Sequence, residues 1–164
     1  MNWTEEELEE YQDKKKGKKT KPKKKPKYNN NKTVIDDIKF DSKAESIYYL
    51  HLKQFKEDGF IKDFELQPKY ELIPKFKYMN KNVRAMTYSP DFKVYRLDET
   101  YYLVDIKSIG TASQQGELRR KLFYYYYTDV ELIWVCRNLK HGDTRGWIVY
   151  EDLKKIYRDE KKVK

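Results

Sequence analysis

Tyr88-Ser89-Pro90-Asp91-Phe92, followed by Tyr101-Tyr102-Leu103-Val104-Asp105-Ile106-Lys107, is the stretch around which the rest of the chain is arranged. Both halves are rich in β-branched and aromatic residues and read as strands, and Arg96-Leu97-Asp98-Glu99-Thr100 between them reads as a turn. With the turn centred near Asp98, antiparallel pairing sets Asp91 directly opposite Asp105, on strands about 4.8 Å apart. Side chains alternate along a strand, so Asp91, Asp105 and Lys107 share one face. Phe92, Val94, Val104 and Ile106 share the other, which is the expected core. Two like charges opposed across a hairpin destabilise it unless something neutralises them. A hard cation such as Mg²⁺ does so economically, because it is held by one or two carboxylates together with waters and substrate phosphate oxygens. A lysine beside such a pair can orient or deprotonate an attacking water. The competing reading is a solvated strand face, since acidic-x-Lys triplets are common in so charged a chain.

A chain of 164 residues fits one domain of ordinary size plus a tail. Its hydrophobic content of 38% is low, but the deficit sits at the N-terminus, and the rest can bury a core. Residues 1–13 carry six acidic groups and residues 14–27 ten lysines, so within a net charge of +9 the remainder is basic on its own account. That balance points to a polyanionic partner. The single cysteine, Cys136, lies in the apolar run Leu132-Ile133-Trp134-Val135-Cys136 and reads as a buried inert thiol, which excludes an internal disulfide and fits a reducing interior. No apolar run approaches the length of a membrane span and the N-terminus is acidic rather than signal-like, so a cytosolic location without membrane contact is expected. His51 and His141 are the only histidines and no cysteine pair accompanies them, which argues against zinc chemistry.

Three parts follow along the chain: a short acidic helix over 1–13, a basic linker or arm over 14–32, and a folded domain over 33–164. The first has a capping box at Thr4 and Glu7 and a small apolar stripe of Trp3, Leu8 and Tyr11. It reads either as a frayed helix, as a docking peptide for a replication or recombination partner, or as a mask that folds back on the lysines. Lys14, Lys15, Lys16, Lys18, Lys19, Lys21, Lys23, Lys24, Lys25 and Lys27, interrupted by Gly17, Pro22 and Pro26, cannot build a core and are expected to be extended or disordered. They read as a solubilising linker or as a nonspecific phosphate-binding arm whose affinity falls steeply with salt.

In the domain, Ser42 opens a helix that runs to about Gly59, with Ala44, Ile47, Tyr48, Leu52 and Phe55 on its apolar stripe. Glu45 forms a capping box with Ser42, and alternatively reaches toward the carboxylate pair as a third acidic group. Residues 61–73 and 83–95 read as two strands joined by a turn at Met79-Asn80-Lys81-Asn82, with Pro68 marking an edge or bulge, and 100–107 as a third strand. A helix over about 113–127 carries Leu118, Leu122 and Tyr125 on one stripe, and Arg119, Arg120 and Lys121 on a basic surface. Residues 130–135 read as a buried strand, 147–150 as another and 151–157 as a closing helix. The run of four tyrosines from Tyr124 to Tyr127 reads as packing with phenol tips at the surface, with base stacking as the alternative. The fold class is α/β with a mixed sheet, in the order αβββαβ with flanking helices.

Pro90-Asp91, a spacer and Asp105-Ile106-Lys107 resemble the signature of the PD-(D/E)XK nuclease superfamily, which has the restriction-endonuclease-like fold. Around them, Ile38-Lys39-Phe40-Asp41-Ser42-Lys43-Ala44-Glu45, Leu66-Gln67-Pro68-Lys69-Tyr70 and Arg119-Arg120-Lys121-Leu122-Phe123 occur in the order of a small phage and prophage family of that superfamily. The resemblance covers about residues 28–136. It implies Glu45 in the active site, Asp91, Asp105 and the Ile106 backbone carbonyl as metal ligands, and Lys107 as the residue that positions the water. Lys121 stands one helical turn before Tyr125, where related nucleases place a polar residue and a tyrosine, and the lysine departs from that pattern.

The function so implied is Mg²⁺-dependent DNA endonuclease activity, with Mn²⁺ as a substitute, structure-selective on branched DNA such as a Holliday junction or flap. DNA would be held through its phosphate backbone by Arg119, Arg120, Lys121 and the lysine arm. A four-way junction needs paired cuts, so a homodimer is expected on that substrate. The alternative is a noncatalytic DNA-binding recombination accessory protein that keeps the fold, and nothing in the sequence reads a 2′-hydroxyl to separate RNA from DNA.

Overall fold

The computed structural model describes residues 33–110 and 112–162, so the acidic segment and the lysine arm expected over residues 1–32 lie outside the described residues. It opens with a hairpin that the sequence reading missed, β1 (Thr33–Ile35) and β2 (Ile38–Phe40), closed by Asp36 and Asp37 at φ 52° and 62°. A two-residue hairpin turn takes two left-handed residues, and aspartate tolerates them. Asp36 accepts hydrogen bonds from Tyr49 Oη (2.9 Å) and Lys53 Nζ (2.7 Å), which ties the hairpin to the next helix.

That helix, α1 (Lys43–Glu57), starts at the expected cap: Ser42 Oγ accepts from Glu45 N at 3.2 Å, and Glu45 returns two bonds, from Ser42 Oγ at 2.9 Å and from Asp41 N at 3.3 Å. Gly59, at φ 72°, takes the left-handed turn beyond its end.

A five-stranded mixed sheet follows in the order β11-β10-β9-β8-β3, built from β3 (Asp63–Leu66), β8 (Phe92–Tyr95), β9 (Tyr101–Ile106), β10 (Glu131–Arg137) and β11 (Trp147–Val149). Only β9 and β10 run parallel, joined across α2 (Gln114–Tyr126), and α3 (Tyr150–Lys162) closes the described chain. The expected order of αβββαβ is present, in α1, β3, β8, β9, α2 and β10.

The two long strands expected over 61–73 and 83–95 are each broken. At the first break Gln67 turns to φ 46° and Pro68 has no N–H to offer a ladder. At the second, Ser89 precedes Pro90, and Ser89 Oγ donates back to the Gln67 (3.1 Å) and Pro68 (2.9 Å) carbonyls. Beyond the kinks, β4 (Tyr70–Ile73) pairs with β7 (Met86–Tyr88), and β5 (Phe76–Tyr78) pairs with β6 (Lys81–Val83) around Met79-Asn80, a turn shorter than the expected Met79-Asn80-Lys81-Asn82 because Lys81 and Asn82 join the strand. β3 lies at the sheet edge, where Pro68 is tolerated.

The sheet buries both faces, so the competing reading of a solvated strand face around Asp105 does not hold. Phe92, Val94, Val104 and Ile106 pack with Tyr49 and Leu52 of α1, as read from their alternation. On the other face Leu103, Trp134 and Cys136 pack with Phe123 of α2 and Leu153 of α3. Burying one such large side chain stabilises by about 1.5–3 kcal/mol, enough for each helix to hold its face of the sheet. The stripe on α2 is also corrected. Leu118 and Tyr125 are exposed at 54% and 76%, and Phe123 is the fully buried residue, set between Tyr70 and Tyr88 and stacked on Tyr127.

Cys136 is buried and free, and burial pushes its thiol up to about 11, as expected of an inert cysteine. Among the described residues no helix is long and apolar enough to cross a membrane.

Candidate metal centre

The β8–β9 ladder runs in register from Tyr95↔Tyr101 to Phe92↔Val104. One further step sets Asp91 opposite Asp105, at the place where Pro90 ends the pairing. The local geometry is fixed by hydrogen bonds: the Ile106 amide donates to Asp91 Oδ2 at 2.7 Å, and Lys107 Nζ donates to Asp105 Oδ1 at 2.6 Å. Asp105 is 2% exposed, yet it stands on the face that carries Leu103 and Trp134. A charge there requires partners, and Tyr88 supplies the second by donating its hydroxyl to Asp105 Oδ2. Tyr88 Oη in turn accepts from Trp134 Nε1 at 2.8 Å, so a buried relay of three side chains orients the carboxylate.

The electrostatics tie four residues into one site. Burial, then the charges of Asp105 and Glu45, raise Asp91 well above the ordinary carboxylate range. Burial raises Glu45 as well, partly offset by its bonds to Ser42 and the Asp41 amide. Burial works against the charge of Lys107, but Asp105, Asp91 and Glu45 outweigh it and hold the ammonium above the ordinary lysine range. Glu45 therefore combines its capping bonds with a place in the field of the carboxylate pair, although it reaches the site from α1 on the opposite side of the sheet.

The carboxylate end of the sheet opens into a cleft of about 590 Å³, lined by Arg84, Tyr88, Asp105, Lys107, Arg119 and Trp134 among others. Arg119 brings a buried Nε that has no hydrogen-bond partner. Arg119 also lines the cleft, and a guanidinium there is suited to an anionic oxygen supplied by a ligand. The three cations of the α2 surface part company. Arg120 pairs with Glu151 and lies over the Trp134 ring at 4.0 Å, which makes it a packing residue, and Lys121 is exposed outside the cleft lining. Tyr88, Trp134 and Arg84 were not singled out from the sequence as site residues. Tyr88 sat within the quoted motif, but its reach to Asp105 depends on the kink at Pro90, and Trp134 depends on the parallel register Trp134↔Asp105.

Among the described residues no group of three or more His, Cys, Asp and Glu side chains is gathered as a ready metal cage. The donor set still fits a hard cation. Mg²⁺ takes one or two protein carboxylates and keeps its waters, and Asp91 and Asp105 form such a pair. The strain of the pair in the metal-free chain, with Asp91 resisting ionisation, is what a bound cation would relieve. For Ile106 the structure shows a role for the amide, which fixes Asp91.

One expected result follows for the metal-free protein. Because the folded state raises Asp91 above its unfolded value, the folded chain holds a proton that the unfolded chain has lost, and stability falls as pH rises through that window. Asp91→Asn removes this cost while its amide oxygen can still accept from Ile106. In urea unfolding with EDTA the variant should be more stable by on the order of 1 kcal/mol at neutral pH, with the gap closing toward acid. A gap that stays constant with pH would show that Asp91 does not titrate as placed.

The sequence profile of the family described as "Protein of unknown function (DUF1064)" matches residues 25–143, which contain every residue of the site described above. The chain belongs to that family. No curated protein and no solved structure matches the chain.

Proposed function

We propose that this DUF1064 protein is a Mg²⁺-dependent DNA endonuclease, with Mn²⁺ as a substitute, that hydrolyses phosphodiester bonds and is selective for branched DNA. The observation that carries the reading is that Asp105 and its ion-pair partner Lys107 line one cleft with the guanidinium of Arg119, while Asp91, held by the Ile106 amide, stands one register step beyond the β8–β9 ladder beside Asp105. A cation held by Asp91 and Asp105 would supply Lewis-acid polarisation of a phosphoryl oxygen and a more acidic water.

The chain's own residues carry the remaining work. Glu45, capping α1, extends the negative field at the site and favours cation entry. Tyr88 and Trp134 hold Asp105 in one orientation, so no reorganisation is needed as the phosphate arrives. Lys107, kept charged by its neighbours, offers an ammonium to the nucleophilic water or to the charge that grows on the phosphate oxygens. Arg119, in the cleft lining, offers its guanidinium to a phosphate oxygen. Contacts of this kind go to backbone and carry little base specificity. Lys121 adds a basic contact for DNA outside the cleft lining, and the ten lysines of residues 14–27 would add phosphate-binding charge.

Such an enzyme would act in the cytosol, that of the host if phage-encoded, in DNA recombination or replication. A homodimer would serve paired cuts in a four-way junction, and the acidic segment over residues 1–13 would dock a replication partner.

The deciding experiment incubates the full chain with labelled linear, flap and four-way junction DNA in Mg²⁺, Mn²⁺, Ca²⁺ or EDTA. Cleavage in Mg²⁺ and Mn²⁺ alone is the expected result, and no cleavage of any substrate would refute the reading in favour of a DNA-binding accessory role. Arg119→Ala should raise KM about tenfold with a smaller loss in kcat, since it removes one charge-assisted bond to substrate. Steady-state kinetics that show the loss wholly in kcat would move Arg119 from binding to charge stabilisation.

A further inference from the structure

The hairpin of β5 and β6 stands away from both cores and carries an unusual pair of faces. Cross-strand partners share a face, so Phe76↔Val83 and Tyr78↔Lys81 form one side while Lys77↔Asn82 forms the other. Phe76 and Tyr78 are exposed at 46% and 60%, and Met79, at the turn with φ 52°, at 82%. Lys75, Lys77, Lys81 and Arg84 are the charges of this segment, and no Asp or Glu occurs between Glu71 and Asp91. None of the four cations is ion-paired among the described residues. Exposed aromatic rings and unpaired cations on one small ribbon are costly for solubility and contribute nothing to either core.

Arg84 connects this ribbon to the chemistry, because it lines both the cleft of Asp105 and Lys107 and a second hollow of about 570 Å³ walled by Lys75, Phe76, Lys77, Asn82 and Val83. A strand whose phosphate enters the cleft therefore continues past Arg84 onto the ribbon. Aromatic rings there meet unpaired bases, which stack on any π-face, while the lysines meet phosphates. An apolar tip such as Met79 is the type of side chain that wedges between base steps and unstacks them.

We infer that the β5–β6 hairpin is a wedge for the boundary between paired and unpaired DNA, with Met79 at the point of separation and Phe76 and Tyr78 as the platform for the freed bases. This deepens the proposed function, on which it rests, by naming the feature of branched DNA that the protein recognises. Electrostatic complementarity and continuity with the cleft select nucleic acid as the occupant over a protein partner.

The test is binding of the full chain in EDTA, by fluorescence anisotropy, to a forked duplex and to a blunt duplex of the same sequence. A 2-aminopurine at the last paired base of the fork reports unstacking. The wild type should prefer the fork by about tenfold or more, the size expected when one or two bases gain a stacking partner. The double variant Phe76→Ser with Tyr78→Ser should lose that preference, Met79→Ser should lose the 2-aminopurine signal, and Phe76→Tyr with Tyr78→Phe should keep both. A wild type that binds the two duplexes equally, or serine variants that keep the preference, would overturn the inference, and a ribbon that serves a protein partner predicts the latter result. Because no metal is present, the outcome is independent of cleavage. A chain that cuts DNA without fork preference sinks the wedge and the selectivity for branched DNA but leaves the nuclease reading, and one that prefers forks but cuts nothing sinks only the nuclease reading.

Discussion

Asp105→Asn is expected to reduce Mg²⁺-dependent cleavage by on the order of ten-thousandfold, the scale of losing a residue on which the whole reaction depends. The substitution changes no volume at a position that is 2% exposed, so the surrounding packing of Leu103 and Trp134 is kept. It removes the one charge that is shared by the Lys107 ammonium on one oxygen and the Tyr88 hydroxyl on the other. An amide NH₂ must then face one of two donors, so the variant also loosens the orientation of Lys107. DNA binding without metal should be unchanged or slightly tighter, because a negative charge is withdrawn from a cleft meant for phosphate. Single-turnover cleavage and metal-free binding, measured on the same preparation and accompanied by a thermal melt, separate these effects. Cleavage at the wild-type rate in a folded variant would remove Asp105 from the site and with it the basis of the proposed function.

The fold and the site were legible to different depths, for reasons that lie in the range of the interactions. Asp91 against Asp105 follows from a tight turn and a period of two, both of which are local, and the observed register agrees with it. The Ser42 and Glu45 cap is likewise a contact across three residues. What the sequence did not disclose depends on long-range placement. Trp134 meets Tyr88 only because β10 lies parallel to β9 in one register, and a parallel crossover leaves no turn from which to read that register. The kinks at Gln67-Pro68 and Ser89-Pro90 were visible as prolines, but their joint effect, a separate β4–β7 pair and a free-standing hairpin, needed the Ser89 bonds to the opposite bend. Arg120 illustrates the limit for charges. Three adjacent cations on a helix look alike in sequence, and only the positions of Glu151 and Trp134 decide that Arg120 packs while Arg119 faces the cleft.

Lys107→Ala is expected to lower kcat about a hundredfold to a thousandfold with little change in KM, the pattern of a group that acts on charge developed in the transition state. Under the proposed function two roles for Lys107 are open, orienting or deprotonating the water, and its surroundings favour the first. Burial alone would favour the neutral amine, yet the three carboxylates around it more than reverse that effect and hold it protonated. An ammonium donates and cannot take a proton, so in the proposed reaction it would hold the water and stabilise negative charge. A cation on Asp91 and Asp105 weakens the field that raises Lys107, so the pH prediction is one of sign alone: activity should fall, not rise, as the ammonium is lost. A base would behave oppositely, with activity climbing as the ammonium is lost. Lys107→Arg supplies the second arm, since it keeps a positive donor that cannot deprotonate and should recover part of the rate, whereas Lys107→Met should match alanine. A rate that rises steeply with pH in the wild type, together with an arginine variant as inactive as alanine, would mean that Lys107 works as a base, and the carboxylates around it would then have to be neutralised before it could act.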